Sequence, residues 1–355
     1  MKRTRALADR IAVLSLNLVA AINLLFVLFF VAVLVLVSGR ARAEETVCEG
    51  TDLVEALSER DPALLRKMRE EAAATPNGEG LLWRVEGKGG APSFLFGTMH
   101  MTDPRVVAMP EAARAAFAAA HTVAIETTDV LDQKAMMAAL AETPELMMFP
   151  PGEALTDYLT AEEQERLREA LDTYGVPLQS VVKLKPWMLL SLIAQSACEV
   201  ERQEAGVLVL DGKLAKDAKA AGKRLVGLER ASEQFSAIAS LPMEMHIEGL
   251  ISTIDLGEGV NDVTETMIGL YLNGEIGMVL PAITRLLPQG AQFAAGSAAF
   301  EEKLITARNR VMAERALPLI EEGRAFIAVG ALHLPGETGL VALLREEGYT
   351  VSRAD

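Results

Sequence analysis

Histidine is scarce in this chain of 355 residues. There are four, and two of them stand in the same local setting. In Phe94-Leu95-Phe96-Gly97-Thr98-Met99-His100, and again in Phe326-Ile327-Ala328-Val329-Gly330-Ala331-Leu332-His333, a short apolar run stops at a glycine and a histidine follows three residues later. Apolar runs of this length bounded by a turn residue read as buried strands. Glycine takes backbone angles closed to other residues, so a sharp turn is expected at Gly97, with His100 projecting from the loop at the strand's end. Two further short strands, at Thr122-Val123-Ala124-Ile125 and Arg224-Leu225-Val226-Gly227-Leu228, are each closed by an acid, Glu126 and Glu229.

Two histidines and one or two glutamates on one sheet edge could converge on a divalent metal. Imidazole and carboxylate donors suit zinc, iron(II), manganese or cobalt. Three protein ligands leave positions for water and substrate, an arrangement that acidifies the water and polarises a carbonyl, which is hydrolysis. A carboxylate not used as a ligand can serve as general base. Each feature also has a plain explanation: an acid closing a strand is commonly a solvated strand end, and Gly-x-x-His is a common string. His121, at the start of a strand, and His246, in a helix, are expected to be structural or exposed. The chain has no Gly-x-Ser-x-Gly elbow, no His-Glu-x-x-His helix, no Walker loop and no Gly-x-Gly-x-x-Gly after a strand.

These residues need a sheet to position them. Short strands are expected near 81–85, 94–96, 122–125, 224–229, 325–329 and 349–351, separated by helices. Gly87-Lys88-Gly89-Gly90-Ala91-Pro92 reads as the loop of a hairpin joining the first two. The middle, 133–200, is expected to be helical. It includes a capping box at Thr160-Ala161-Glu162-Glu163 and an apolar helix opened by Lys185-Pro186-Trp187, in which Trp187 is a core anchor. Asp211 precedes a helix over 213–220 as a candidate N-cap. The resulting class is α/β (α+β): a mixed sheet of short strands covered by helices, with a long helical stretch at 231–322 as a cap. The repeated strand-acid and strand-His units hint at two similar βα halves.

The net charge is −15. Such a body repels phosphate backbones, so nucleic acid is excluded as a partner. Lys2, Arg3, Arg5 and Arg10 precede a stretch from Ile11 to Val37 that carries no charge. Residues 1–43 therefore read either as a signal peptide cleaved after Ala41-Arg42-Ala43 or as an uncleaved N-terminal membrane anchor. Both readings export the body, to the periplasm in a bacterium. Residues 44–80 read as a helical lead-in, with a helix starting at Asp61-Pro62, and 81–355 as the main α/β domain. The two cysteines, Cys48 and Cys198, lie in no zinc-finger spacing. In an exported body a disulfide between them competes evenly with two free thiols.

Gly97-Thr98-Met99-His100, Ala124-Ile125-Glu126, Lys185-Pro186-Trp187, Gly227-Leu228-Glu229 with Gln234, Arg308-Asn309 and Gly330-Ala331-Leu332-His333-Leu334-Pro335-Gly336 together resemble the TraB/GumN (TraB/PrgY/Tiki) family over about residues 80–353. The resemblance implies a fold of two similar halves, related to haem-binding and erythromycin-esterase-like proteins. In the family's metalloprotease members two Gly-x-x-His motifs and a glutamate are needed for metal-dependent peptide cleavage. By resemblance those metal roles fall on His100, Glu126 and His333, while Glu229 and Arg308 match other recurring positions and are candidate catalytic residues. The expected activity is metal-dependent hydrolysis of a peptide or protein substrate on the periplasmic side, with a divalent ion (Mn, Co, Zn or Fe) as cofactor. The alternative is a non-enzymatic binding or accessory protein in envelope or polysaccharide assembly, holding a peptide, a haem or a saccharide in the same cleft.

Overall fold

The apolar runs become a six-stranded mixed sheet in the computed structural model of the chain, which describes residues 48–87, 90–131, 143–287, 290, 296 and 298–355. The strands are β1 (Leu82–Glu86), β2 (Ser93–Thr98), β3 (Thr122–Ile125), β4 (Arg224–Gly227), β5 (Ala325–Gly330) and β6 (Thr350–Arg353), in the order β4-β3-β5-β2-β1-β6. β4, β3, β5 and β2 run parallel, while β1 pairs antiparallel with β2 as a hairpin and with β6 on its other side. The segment expected to be a signal peptide or anchor lies outside the described residues. Among the described residues no helix is long and apolar enough to cross a membrane.

Side chains on a strand alternate between the two faces of the sheet, and here the alternation builds two cores. Phe96, Val123, Ile125, Phe326 and Ala328 face one layer, shared with Leu210, Leu214 and Tyr271. Leu95, Ala124, Ile327 and Val329 face the other, shared with Met312, Ile320, Leu340 and Val341. The first layer is thus covered by the helices Glu111–Ala119, Leu210–Ala220 and Gly259–Leu272, and the second by Ala307–Glu322 and Leu340–Glu346. The long helical stretch 231–322 therefore serves more than one layer. Among its described residues, only those of Met243–Leu256 join the separate core built from Ala161–Thr173 and Pro186–Ile193. The lead-in helices Leu53–Arg60 and Pro62–Ala73 pack with Leu270 and Met278, and Asp61 caps the second through Leu64 N–H. The capping box at Thr160 and Glu163 forms with both reciprocal bonds.

The two strand-His strands, β2 and β5, are neighbours, and so are the two strand-Glu strands, β3 and β4. The units that would make up two halves are interleaved in one sheet rather than placed side by side. Gly97 makes no turn. It lies inside β2, opposite Val329, and a Cβ there would stand 3.1 Å from the Ala331 Cα and 2.8 Å from Leu334 Cδ1. Close approach of the chain after β5, not a left-handed bend, is what requires glycine at this position.

A disulfide joins Cys48 to Cys198, with Cα atoms 5.8 Å apart. It fixes the start of the described chain to the helix Ala197–Glu204. Glu199 of that helix accepts hydrogen bonds from the backbone N–H and the hydroxyl of Thr102. The tether therefore ends two residues from His100.

Candidate active site at the carboxyl edge of the sheet

In open sheets of parallel strands, ligands bind beyond the carboxyl ends of the strands. Four parallel strands end together here, and each delivers one of the expected side chains. Glu229 follows β4, Glu126 follows β3, His333 follows β5 and His100 follows β2. Register brings them level: Ile125 pairs with Ala328 and with Gly227, and Thr98 pairs with Gly330.

The histidines meet at one atom. His100 Nε2 is 3.9 Å, and His333 Nε2 3.7 Å, from Oε1 of Glu126. Each ring is held from behind by a side chain in the first turn of a helix, and the two helices cover opposite faces of the sheet. His100 Nδ1 lies 2.7 Å from Asp211 Oδ2, and the other oxygen of Asp211 accepts the Thr98 hydroxyl at 2.7 Å. His333 Nδ1 lies 2.7 Å from Asn309 Oδ1, while Asn309 Nδ2 donates to the Thr338 carbonyl and so fixes which end of the amide faces the ring. An acceptor behind each Nδ1 assigns a proton to that nitrogen and leaves each Nε2 directed at Glu126.

The remaining valences of Glu126 are filled by the protein. Gly330 N–H donates to Oε1 at 2.6 Å, while Gln234 Nε2 and Arg308 Nη2 donate to Oε2 at 3.0 and 2.7 Å. Arg308 also forks onto Glu229, with Nε 3.0 Å from Oε1 and Nη2 2.6 Å from Oε2. One guanidinium thus pairs with two buried carboxylates, an arrangement suited to its planar set of donors. Gly330 makes this possible sterically, since a Cβ there would stand 3.0 Å from Glu126 Oε1.

Charge follows position. Burial works to raise the pKa of Glu126, but His333, His100, Arg308 and the Gly330 N–H outweigh it and hold the carboxyl down at about 2. Burial pulls His333 down to about 4, against the attraction of Glu126, so its ring is neutral at neutral pH. At His100, loss of water also pulls downward, but the Asp211 carboxylate in direct contact prevails and lifts the ring to about 9.

All five residues expected from sequence, His100, Glu126, Glu229, Arg308 and His333, come together on this edge. Glu229 does not touch either histidine, because its oxygens are committed to Arg308 and, at 3.2 Å, to Gln234. Among the described residues no three His, Cys, Asp or Glu side chains already stand at metal-coordinating spacing. The donor set nonetheless fits a divalent ion. Two imidazoles present Nε2 toward one carboxylate oxygen, and the other nitrogen of each is tied to a polar partner, as in metal-binding histidines generally.

Two contributors escape a reading by spacing. Asp211 is not an N-cap: its helix begins at Leu210 with no side-chain cap bond, and the carboxylate turns into the site. Asn309 is part of the quoted motif, but its contact with His333 is visible only in three dimensions. Of the other histidines, His121 contacts Arg324 away from the site, and His246 is buried in a helix.

The chain is 28% identical over 316 residues to the protein named Metalloprotease TIKI2 of Xenopus tropicalis, covering 76% of this chain and 59% of that protein. It is 27% identical over 315 residues to Metalloprotease TIKI1 of Danio rerio, covering 76% and 62%. It is also 27% identical over 319 residues to Metalloprotease TIKI1 of Homo sapiens, covering 77% and 61%. The chain therefore spans about three-fifths of the length of these relatives. No solved structure gives a significant match. The model of the TraB/PrgY/gumN family matches residues 81–353, which contain every side chain of the site. The chain belongs to the TraB/PrgY/gumN family.

Proposed function

We propose that this protein is a metal-dependent hydrolase of peptide bonds, with His100, Glu126 and His333 as the residues that would hold one divalent ion. The observation that carries the reading is the convergence of two Nδ1-braced imidazoles on Glu126 Oε1. The metalloprotease relatives give it its reaction class. A divalent ion, when bound, supplies Lewis-acid polarisation of the scissile carbonyl and a water of lowered pKa.

The chain's own side chains do the rest. Asp211 and Asn309 fix the tautomer and the direction of the two rings. Glu126 supplies the negative charge, and Gly330 N–H with Gln234 holds its plane. Arg308 and Glu229 are positioning residues in this reading: Glu229 anchors the guanidinium, and the guanidinium keeps Glu126 ionised. Manganese, cobalt, zinc and iron(II) all suit such donors. We also place the body outside the cytoplasm, on the periplasmic side in a bacterium, soluble or tethered through the N-terminal segment. The basic-then-apolar N-terminus and the Cys48–Cys198 disulfide support that location, since disulfides persist in oxidising compartments.

The test is turnover of a peptide library by the full-length chain, stripped with chelator and then supplied with each ion in turn, beside Glu126→Gln. Ion-dependent cleavage by the wild type, at least about 100-fold weaker in the variant, is expected for loss of a metal ligand. Cleavage indifferent to chelation would remove the metal from the account.

A further inference from the structure

The loop that carries His100 is gripped by two helices. On Ala197–Glu204, the carboxylate of Glu199 accepts the Thr102 N–H at 2.9 Å and its hydroxyl at 2.7 Å, and Arg202 Nη1 stands 3.7 Å from Asp103 Oδ2. On Gly259–Leu272, Glu265 receives both Nη atoms of Arg105 at 2.7 Å, and Arg105 in turn donates to both oxygens of Asp103. Thr102, Asp103 and Glu199 are all buried, so breaking these contacts leaves polar groups stranded away from water.

Both helices are strapped by one short stretch, residues 48–53. Cys48 is bonded to Cys198, the neighbour of Glu199, while Thr51 N–H donates to Asp262 Oδ1 at 2.7 Å and Leu53 N–H to Thr266 Oγ1 at 2.9 Å. Gly259–Leu272 also has apolar anchors in Ile268, Leu270 and Tyr271. Ala197–Glu204 has none. It is eight residues long, its one buried side chain is Glu199, and among the described residues none of its members belongs to a hydrophobic core. A helix this short is marginal without tertiary support. Its place against the His100 loop therefore depends on its polar contacts with that loop and on the bridge.

We propose that Cys48–Cys198 is a redox switch on the metal centre. With the bridge closed, Glu199 and Arg202 hold Thr102 and Asp103, and His100 is kept in reach of Glu126. A dithiol reductant opens the bridge. One of its thiolates attacks a bridge sulfur and expels the other cysteine, which takes up a proton. Its second thiolate then attacks the mixed disulfide and expels the first cysteine, which is protonated in turn. The reductant ends as its own disulfide and the chain as two thiols, a transfer of two electrons and two protons. Cys198 is partly exposed, so the bridge can be approached from solvent. Ala197–Glu204 is then free to part from the loop, and His100 loses its fixed place, whereas His333, buried and braced by Asn309, keeps its own. The centre is thereby competent only in an oxidising compartment. The inference rests on the reading of His100, Glu126 and His333 as a metal centre.

With only four histidines in the chain, the ring signals of isotope-labelled histidine can be followed one by one by NMR on the untagged, metal-free full-length protein. On reduction with dithiothreitol, and in Cys48→Ser/Cys198→Ser, the His100 signals should shift or broaden while those of His333 stay. In equilibrium dialysis against Mn, Co, Zn and Fe(II), the double variant should bind its ion at least about tenfold more weakly than the bridged wild type, with the far-UV spectrum unchanged. Glu199→Gln in the bridged chain should produce part of that loss. Added to the double variant it should produce no more, because both changes act through Thr102. His100 signals indifferent to the bridge, equal changes in both rings, or fully additive losses from Glu199→Gln would overturn the switch. If His100 responds as expected yet neither protein binds any of the four ions, the coupling of bridge to loop stands and the metal centre falls. If both proteins bind an ion equally, the metal centre stands and the switch falls.

Discussion

His100 and His333 direct their Nε2 atoms at the same oxygen of Glu126, from 3.9 and 3.7 Å. The parallel pairing of β2 with β5 brings the two segments side by side, and β3, on the other flank of β5, supplies the carboxylate. Each ring is braced by a helix from a different face of the sheet, so the site depends on both cores being in place.

The braces should matter nearly as much as the rings they hold. Asp211→Asn and Asn309→Ala are each expected to lower divalent-ion affinity by about 10–100-fold while leaving the far-UV spectrum unchanged. Titration with Mn or Zn checks this. Affinities equal to wild type in both variants would mean that ring orientation is set elsewhere.

Arg308 has a structural duty that can be separated from catalysis. Its side chain is 17% exposed, and the glutamates it serves are 7% and 2% exposed. Arg308→Ala strands two buried carboxylates and should cost about 3–5 kcal/mol in urea unfolding. Adding Glu229→Gln should return part of that loss, because one of the stranded charges is gone. A single variant as stable as the wild type would contradict the pairing.

Acid should loosen the segment that carries Glu229 and Gln234. Arg315 donates to both oxygens of Glu233 and to the Leu228 carbonyl, pinning this stretch to the helix Ala307–Glu322. Those hydrogen bonds, against the opposing effect of burial, hold the Glu233 carboxyl down at about 2 from an ordinary 4.5. A carboxyl whose folded pKa is depressed contributes stability that is full above its unfolded value and disappears as pH falls through its folded one. The stability gap between wild type and Arg315→Ala should therefore be largest at neutral pH and shrink between about pH 4.5 and about pH 2. Urea midpoints across that range read it directly, and a gap that widens with acid would reverse the assignment.

The two glycines should respond differently to alanine. At Gly97 a methyl meets the Ala331 backbone at 3.1 Å, and the strain should appear as about 1–3 kcal/mol of lost stability. At Gly330 it meets Glu126 Oε1 at 3.0 Å, so Gly330→Ala should weaken ion binding more than it lowers the melting temperature. Calorimetry beside metal titration distinguishes the two.

The disulfide closes a sequence separation of 150 residues. Cys198→Ser should reduce stability by about 2–5 kcal/mol, and the wild type should migrate differently after reduction. Unchanged mobility would mean that the thiols are free in solution.

Strand positions and the chemistry at their ends were legible because both are local: apolar runs of four to six residues closed by Gly-x-x-His or Glu. The role of Gly97 was not, since a glycine kept for close approach looks the same in sequence as one kept for a turn. Asp211 and Asn309 carried a fainter signal. Asp211 shares the buried stripe of Leu214, Ala215 and Ala218, and Asn309 shares that of Met312, Ala313, Ala316 and Ile320. A polar residue on an apolar helical stripe marks a buried polar partner, but which partner it meets depends on the strand order β4-β3-β5-β2, and that order is set by long-range pairing.

The central claim is that His100, Glu126 and His333 form one metal centre. Equilibrium dialysis of the purified full-length chain against Mn, Co, Zn and Fe(II), with wild type beside His100→Ala and His333→Ala, tests it most directly. The account predicts one tightly held divalent ion per wild-type chain, lost in both variants. Failure of the wild type to bind any of the four ions, or equal binding by all three proteins, would contradict it.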